Sequence, residues 1–286
     1  MTFPALVSTE WLAARLGNPG VRVVDGSWHL PSAGRDAHAE YLAAHIPGAV
    51  FFDLDARSDR SSTLPHMFPP PAEFARGAEA LGISDGDTVV VYDTSGANMT
   101  APRVWWMFHV MGHDRVAVLD GGFGIWRREG RAVEGGEVRP PAGSYHPRFD
   151  PSRLRSVDEM RSNLESRGEQ VIDARSAGRF SGDAPEPRPG LRGGHIPGSR
   201  SLPYTELVDS DGRVRPPEEL AARFREAGLD PSRPVVATCG SGVTAAVLLH
   251  ALHLLGHRAT ALYDGSWTEW GGRVDLPVET GAAGKE

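Results

Sequence analysis

The only cysteine of this sequence, Cys239, lies where a nucleophile would be well placed. The apolar run 234–238 predicts a buried strand, and Cys239 follows its last residue. Ligands in open α/β sheets bind beyond the carboxyl ends of the strands. A lone cysteine is otherwise a small buried apolar residue, and it cannot form an intramolecular disulfide. The segment that follows Cys239 decides between the two interpretations.

That segment has the composition of an anion-binding loop. Gly240 and Gly242 let the backbone curl tightly, so that successive N–H groups can point inward. A helix predicted from Thr244 to about Leu255 adds partial positive charge at its N-terminus. Both effects favour a thiolate over a thiol. We therefore expect Cys239 to be a nucleophile and the loop to cradle a persulfide anion with Gly240, Gly242, Val243 and Thr244.

Two other interpretations of the loop are disfavoured. Cysteine phosphatases use a similar loop, but they need an arginine six positions after the cysteine to grip phosphate. Ala245 occupies that position here. A plain strand-to-helix turn would explain the glycines, but it would not need a cysteine as its first residue.

The chain repeats itself once, and the repeat defines the elements that position Cys239. Four segments recur in the same order: Val23–Asp25 and Val171–Asp173, His45–Ala49 and His195–Ser199, Val89–Asp93 and Val235–Cys239, Asp120–Phe123 and Asp264–Trp267. Asp93 stands where the second copy has Cys239, and an aspartate cannot accept a sulfane sulfur. We predict a non-catalytic domain at 1–135, a linker rich in Gly, Pro and Arg at 136–152, and a catalytic domain at 153–286.

Each copy alternates short apolar runs with longer amphipathic stretches, which predicts an α/β fold with two mostly parallel sheets flanked by helices. The predicted strands are 21–25, 88–92, 116–119, 170–173 and 234–238, and the predicted helices include 72–81, 156–166 and 217–227. Ser156 and Glu159 form a capping-box signal at the start of one helix. Residues 181–194 form a loop long enough to carry function.

The loop Cys239-Gly-Ser-Gly-Val-Thr resembles the active-site loop of the 3-mercaptopyruvate sulfurtransferases, in the tandem rhodanese family. The related thiosulfate sulfurtransferases typically have Cys-Arg-Lys-Gly-Val-Thr there. The likeness extends over almost the whole chain, including both His-Ile-Pro-Gly segments, the run Ala101–Trp106 and the run Tyr263–Trp267. The resemblance implies two rhodanese-like domains, of which only the second is catalytic.

The resemblance also implies the remaining site residues. Arg179 and Arg188, in or beside the long loop of the second copy, match the arginines that bind the substrate carboxylate. Asp55 and His66 match residues of the first domain that approach the catalytic loop and pair with its serine, here Ser241. Such a Ser–His–Asp relay could polarise the substrate or handle its proton.

The implied activity is transfer of sulfur from 3-mercaptopyruvate through a Cys239 persulfide, with release of pyruvate. The expected acceptor is cyanide, a small thiol or a thioredoxin-like protein, and no cofactor is needed. A thiosulfate sulfurtransferase is the first alternative, since it differs mainly in the charge of the loop. A non-catalytic rhodanese-fold binding module is the second, and retention of Cys239 in an intact loop argues against it.

Composition excludes several partners. The 286 residues have a net charge of −7, whereas nucleic-acid binding needs a basic footprint. No apolar run approaches a membrane span, and the first residues lack the features of a signal peptide, so we expect a cytoplasmic protein that binds no membrane. His250, His253 and His257 share a helical face without a suitably spaced carboxylate, so we expect no metal site.

Overall fold

The computed structural model describes residues 3–282, which divide into two compact units. The first unit extends to Ser61 and includes Phe68–Asp150 and Val208–Val214. The second contains Ser62–Met67, Pro151–Leu207 and the chain from Arg215 onward. Each unit thus includes one short segment from the sequence of the other copy. The predicted domain boundaries at 1–135 and 153–286 remain predictions.

Within residues 3–282, each unit contains five strands and five α-helices in alternation. The first unit contains β1 (Leu6–Val7), α1 (Thr9–Ala13), β2 (Val21–Asp25), α2 (Ala37–Ala43), β3 (Val50–Phe51), α3 (Pro71–Ala80), β4 (Thr88–Tyr92), α4 (Ala101–Val110), β5 (Val116–Leu119) and α5 (Gly122–Arg128). The second contains β6 (Leu154–Arg155), α6 (Val157–Ser166), β7 (Gln170–Asp173), α7 (Ala177–Ser181), β8 (Arg200–Ser201), α8 (Pro217–Glu226), β9 (Val235–Thr238), α9 (Ala245–Leu254), β10 (Thr260–Tyr263) and α10 (Ser266–Trp270).

The two sheets have the same topology. Their strand orders are β1-β5-β4-β2-β3 and β6-β10-β9-β7-β8, and every neighbouring pair is parallel. Each strand of the first unit therefore has a counterpart at the same place in the second. The predicted α/β fold with duplicated, mostly parallel sheets is confirmed, and the long strands agree with their predicted bounds to within one residue.

Local sequence accounts for the elements that position the site. The central strand β9 is buried over its whole length, as its continuous apolar run requires. In α9, the eight residues from Ala245 to Leu252 are all buried, which identifies it as a core helix. The Ser156 side chain accepts from the N–H of Glu159, so the predicted capping box is present at the start of α6.

The predicted linker packs on the first unit. The N–H of Gly143 donates to the Glu79 carbonyl at 2.8 Å, and the buried Tyr145 ring lies edge-on to Phe74. Within residues 3–282, no helix has the length and apolarity that a membrane span requires.

Candidate active site

Cys239 lies directly after β9 and is 2% exposed. Its N–H donates to Ser266 Oγ at 3.3 Å, and its carbonyl accepts from the N–H of Trp267 at 2.9 Å. Ser266 Oγ donates in turn to the carbonyl of Tyr263 at 2.8 Å. The backbone of the cysteine is thereby tied to the end of β10 and the start of α10.

The loop after Cys239 is held by α10 and leads into α9. The Gly240 carbonyl accepts from the N–H of Thr268 at 2.9 Å and from its Oγ1 at 2.6 Å. Gly242 has a φ of 76°, a left-handed conformation that glycine adopts without strain. Val243 is buried, and the partly exposed Thr244 is the N-cap residue of α9. The four residues predicted to cradle a persulfide lie, together with Ser241, in the segment between β9 and α9. Their role in holding a persulfide remains a prediction.

Ser241 and His66 are in contact, although they are far apart in the sequence. His66 Nδ1 lies 3.0 Å from Ser241 Oγ, and both side chains are buried. His66 belongs to the segment Ser62–Met67, which is part of the second unit. Its φ of 60° is uncommon for a residue with a Cβ, so the surrounding structure must hold it in this conformation.

Asp55 belongs to the first unit and is exposed. Its Oδ2 accepts from Trp28 Nε1 at 3.0 Å, a partner that the sequence did not indicate. Its assignment to a relay with His66 and Ser241 remains a prediction.

Arg179 lies beside the catalytic loop. It is on α7, and its Nη2 would be 3.0 Å from a Cβ added to Gly240. Its guanidinium also binds Glu186, with Nη2 2.5 Å from Oε2 and Nε 3.2 Å from both carboxylate oxygens. Arg188 follows two residues after Glu186 on the long loop and is partly buried. Binding of a substrate carboxylate by either arginine remains a prediction.

Glu186 and Arg175 lie next to the candidate site, and no sequence pattern indicated a role for either. Arg175 Nη1 donates to Glu186 Oε1 at 2.7 Å, and its Nη2 donates to Asp173 Oδ2 at 2.7 Å. Its Cζ lies 4.3 Å from the ring centroid of Trp267. Burial acts to lower the pKa of Arg175, but Asp173 and Glu186 outweigh it and raise that pKa. A buried chain of charges therefore connects the end of β7 to Arg179.

In the first unit, the loop that corresponds to the cysteine loop follows β4 and begins at Asp93. The Asp93 carboxylate accepts from the N–H of Ser95 at 2.9 Å and from the N–H groups of Thr100 and Ala101 at 2.8 Å each. Its carbonyl accepts from the N–H of Phe123, as that of Cys239 does from Trp267. The side chain of Asp93 thus occupies the N–H donors of its own loop, and this copy carries no sulfur nucleophile.

The structure has two equivalent α/β units, and in one of them a cysteine loop follows the central strand. These features define the class of duplicated rhodanese-like proteins. Residues 8–129 and 156–273 each match the rhodanese-like domain family. The chain belongs to the rhodanese family.

Similar proteins within this family are sulfurtransferases. The chain is 45% identical over 273 residues to 3-mercaptopyruvate sulfurtransferase of Rattus norvegicus, covering 94% of this chain and 92% of the relative. It is 44% identical over 301 residues to thiosulfate/3-mercaptopyruvate sulfurtransferase 1, mitochondrial, of Arabidopsis thaliana, covering 98% and 79%. The crystal structure of SseA from Escherichia coli, a 3-mercaptopyruvate sulfotransferase, superposes with a TM-score of 0.85 at 40% identity, covering 92% of this chain and 98% of that one. The chain is an enzyme of the sulfurtransferase class.

Proposed function

We propose that this enzyme transfers sulfur from 3-mercaptopyruvate to a thiol or to cyanide through a persulfide on Cys239. The observation that carries the proposal is the guanidinium of Arg179 against Gly240, the residue next to the buried cysteine. A guanidinium there can hold the carboxylate of a small keto acid while its sulfur reaches Cys239. The names of the rat, plant and bacterial relatives support this donor.

In the first half-reaction, the Cys239 thiolate attacks the sulfur of 3-mercaptopyruvate. A sulfur–sulfur bond forms and the carbon–sulfur bond breaks, with its electron pair passing to the enolate of pyruvate. The donor's thiol proton is available to that enolate, which becomes pyruvate, and the Ser241–His66 pair is suited to move it. Cys239 then carries a persulfide that the N–H groups of the loop can stabilise.

In the second half-reaction, an acceptor attacks the outer sulfur and the Cys239 thiolate leaves. Cyanide yields thiocyanate, and a thiol yields its own persulfide. A thioredoxin-like dithiol is our proposed protein acceptor, because its second thiol can release hydrogen sulfide from that persulfide and close a disulfide. These steps predict ping-pong kinetics.

A cytoplasmic location also stays a proposal, because the name of the plant relative includes the word mitochondrial.

Donor choice separates this function from its alternative, a thiosulfate sulfurtransferase. Thiosulfate is a compact dianion that gains from cationic side chains after the cysteine, and Gly240 and Ser241 provide none. We expect kcat/KM with cyanide as acceptor to favour 3-mercaptopyruvate by at least about 10-fold, or about 1.4 kcal/mol. A wild-type enzyme that prefers thiosulfate at equal ionic strength would overturn this assignment.

The loop charge can be tested directly with the double variant Gly240→Arg and Ser241→Lys. It should shift the preference toward thiosulfate, although Arg179 must move slightly to admit a side chain at Gly240. The control adds the same charges at two exposed positions of the first unit, Ala14→Lys with Asn18→Arg. An equal shift in the control would assign the effect to net charge alone.

A further inference from the structure

Glu186 occupies a position from which it can set the charge that the donor encounters. Its carboxylate is almost fully buried, with a side-chain exposure of 2%, and it bridges two guanidinium groups. One of them, Arg175, is itself buried and already paired with Asp173. The other, Arg179, lies against the catalytic loop. The two carboxylates and two guanidiniums of this cluster have a summed charge of zero.

The pairing also fixes which part of Arg179 is available. Its Nε and Nη2 face Glu186, whereas Nη1 donates to none of the groups in residues 3–282. The side chain retains 22% exposure. Gly240 leaves room for Nη2, so the guanidinium is confined between Glu186 and the loop backbone. Arg179 is therefore a guanidinium with one open edge and a compensated charge.

We propose that Glu186 is the specificity-determining positioning residue of this site. By compensating the positive charge of Arg179, Glu186 makes the site favour monoanionic over dianionic sulfur donors. The inference rests on the proposed function. A dianion gains about twice as much as a monoanion from an uncompensated cation at the same distance. With Glu186 ionised, that advantage is suppressed, while the open edge of Arg179 can still bind one carboxylate. The donor class is then a small α-keto thiol with a single carboxylate.

The test is Glu186→Gln, which keeps the shape and removes the charge. We expect the ratio of kcat/KM for thiosulfate to that for 3-mercaptopyruvate to rise at least about 5-fold, mainly through a lower KM for thiosulfate. Raising the ionic strength from about 0.05 M to about 0.5 M should shrink that shift, because salt screens charge interactions. Glu186→Asp keeps the charge and should leave the ratio within about 2-fold of wild type.

The matched control is Asp183→Asn, which removes the same charge from an exposed side chain of the same loop. It should leave the ratio unchanged. Glu186→Ala removes the same charge with a smaller side chain and should also raise the ratio, so it carries the test if Glu186→Gln does not fold. If Glu186→Gln lost kcat/KM equally with both donors, so that the ratio did not change, Glu186 would have only a structural role. Wild-type kinetics test the proposed function separately, because failure of 3-mercaptopyruvate as a donor would appear there without any variant.

Discussion

His66 Nδ1 lies 3.0 Å from Ser241 Oγ, across 175 positions of sequence. Both residues are buried within the second unit, and Ser241 is two residues from Cys239. A hydroxyl–imidazole pair beside a sulfur nucleophile is suited to proton transfer, whose contribution to an enzymatic rate is typically large. Variants of this pair therefore test whether it transfers the proton of the donor.

His66→Ala should lower kcat with 3-mercaptopyruvate by about 100-fold, because the donor's thiol proton loses its carrier. Thiosulfate has no thiol proton, so turnover with it should fall much less. Ser241→Ala should reproduce the effect. Asp55→Ala should lower the same rate, and an unchanged rate would remove Asp55 from the relay. His146→Ala, at an exposed histidine paired with Asp85, is the control. Equal losses with both donors would exclude a proton-transfer role.

Arg179→Ala and Arg188→Ala should each reduce kcat/KM for 3-mercaptopyruvate by about 10- to 150-fold. The reason is loss of a charge-assisted contact with the substrate carboxylate, worth roughly 1.5–3 kcal/mol. Arg161→Ala removes an exposed arginine of α6 and should have no effect. Steady-state kinetics with cyanide as acceptor make the measurement, and wild-type values for both variants would mean that the carboxylate binds elsewhere.

Asp25 should make the stability of the first unit depend on pH. Burial raises the pKa of this carboxyl from 3.8 to about 6. The ionised form is disfavoured in the folded unit, so its stability is highest below about pH 4, falls as the pH rises to about 6 and is level above. The total loss is about 3 kcal/mol. Asp25→Asn should therefore stabilise the protein at pH 8 and change little at pH 4, as measured by urea unfolding.

The counterpart of Asp25 in the second unit provides the control. Asp173 pairs with the buried Arg175, so Asp173→Asn should destabilise at pH 8, by roughly 3–5 kcal/mol. If Asp25→Asn also destabilised at pH 8, the ionised carboxylate would be a favourable partner in the fold.

Much of the fold could be predicted because local patterns determine it. The β-branched runs that became β4, β5 and β9 are short, continuous and bounded by turn residues, and the capping box fixes the start of α6. The repeated segments predicted equivalent sheets, which share one strand order. The cysteine loop was evident from its glycines and from the strand before it.

The charged network behind the site could not be predicted in this way. Glu186 was visible only as a neighbour of Arg188, and nothing in the spacing pairs it with both Arg175 and Arg179. The carboxylate of Asp93, which accepts N–H groups of its own loop, is likewise a tertiary feature. The contact between His66 and Ser241 was expected from resemblance alone, since no local pattern joins residues so far apart.

The most direct test of the mechanism is the mass of the protein after reaction with 3-mercaptopyruvate alone, without an acceptor. We predict that one sulfur atom is added, that peptide mapping locates it on Cys239, and that cyanide removes it as thiocyanate. Cys239→Ser should fold, gain no sulfur and transfer none. Sulfur transfer by that variant, or a wild-type protein that turns over without a persulfide on Cys239, would contradict the mechanism.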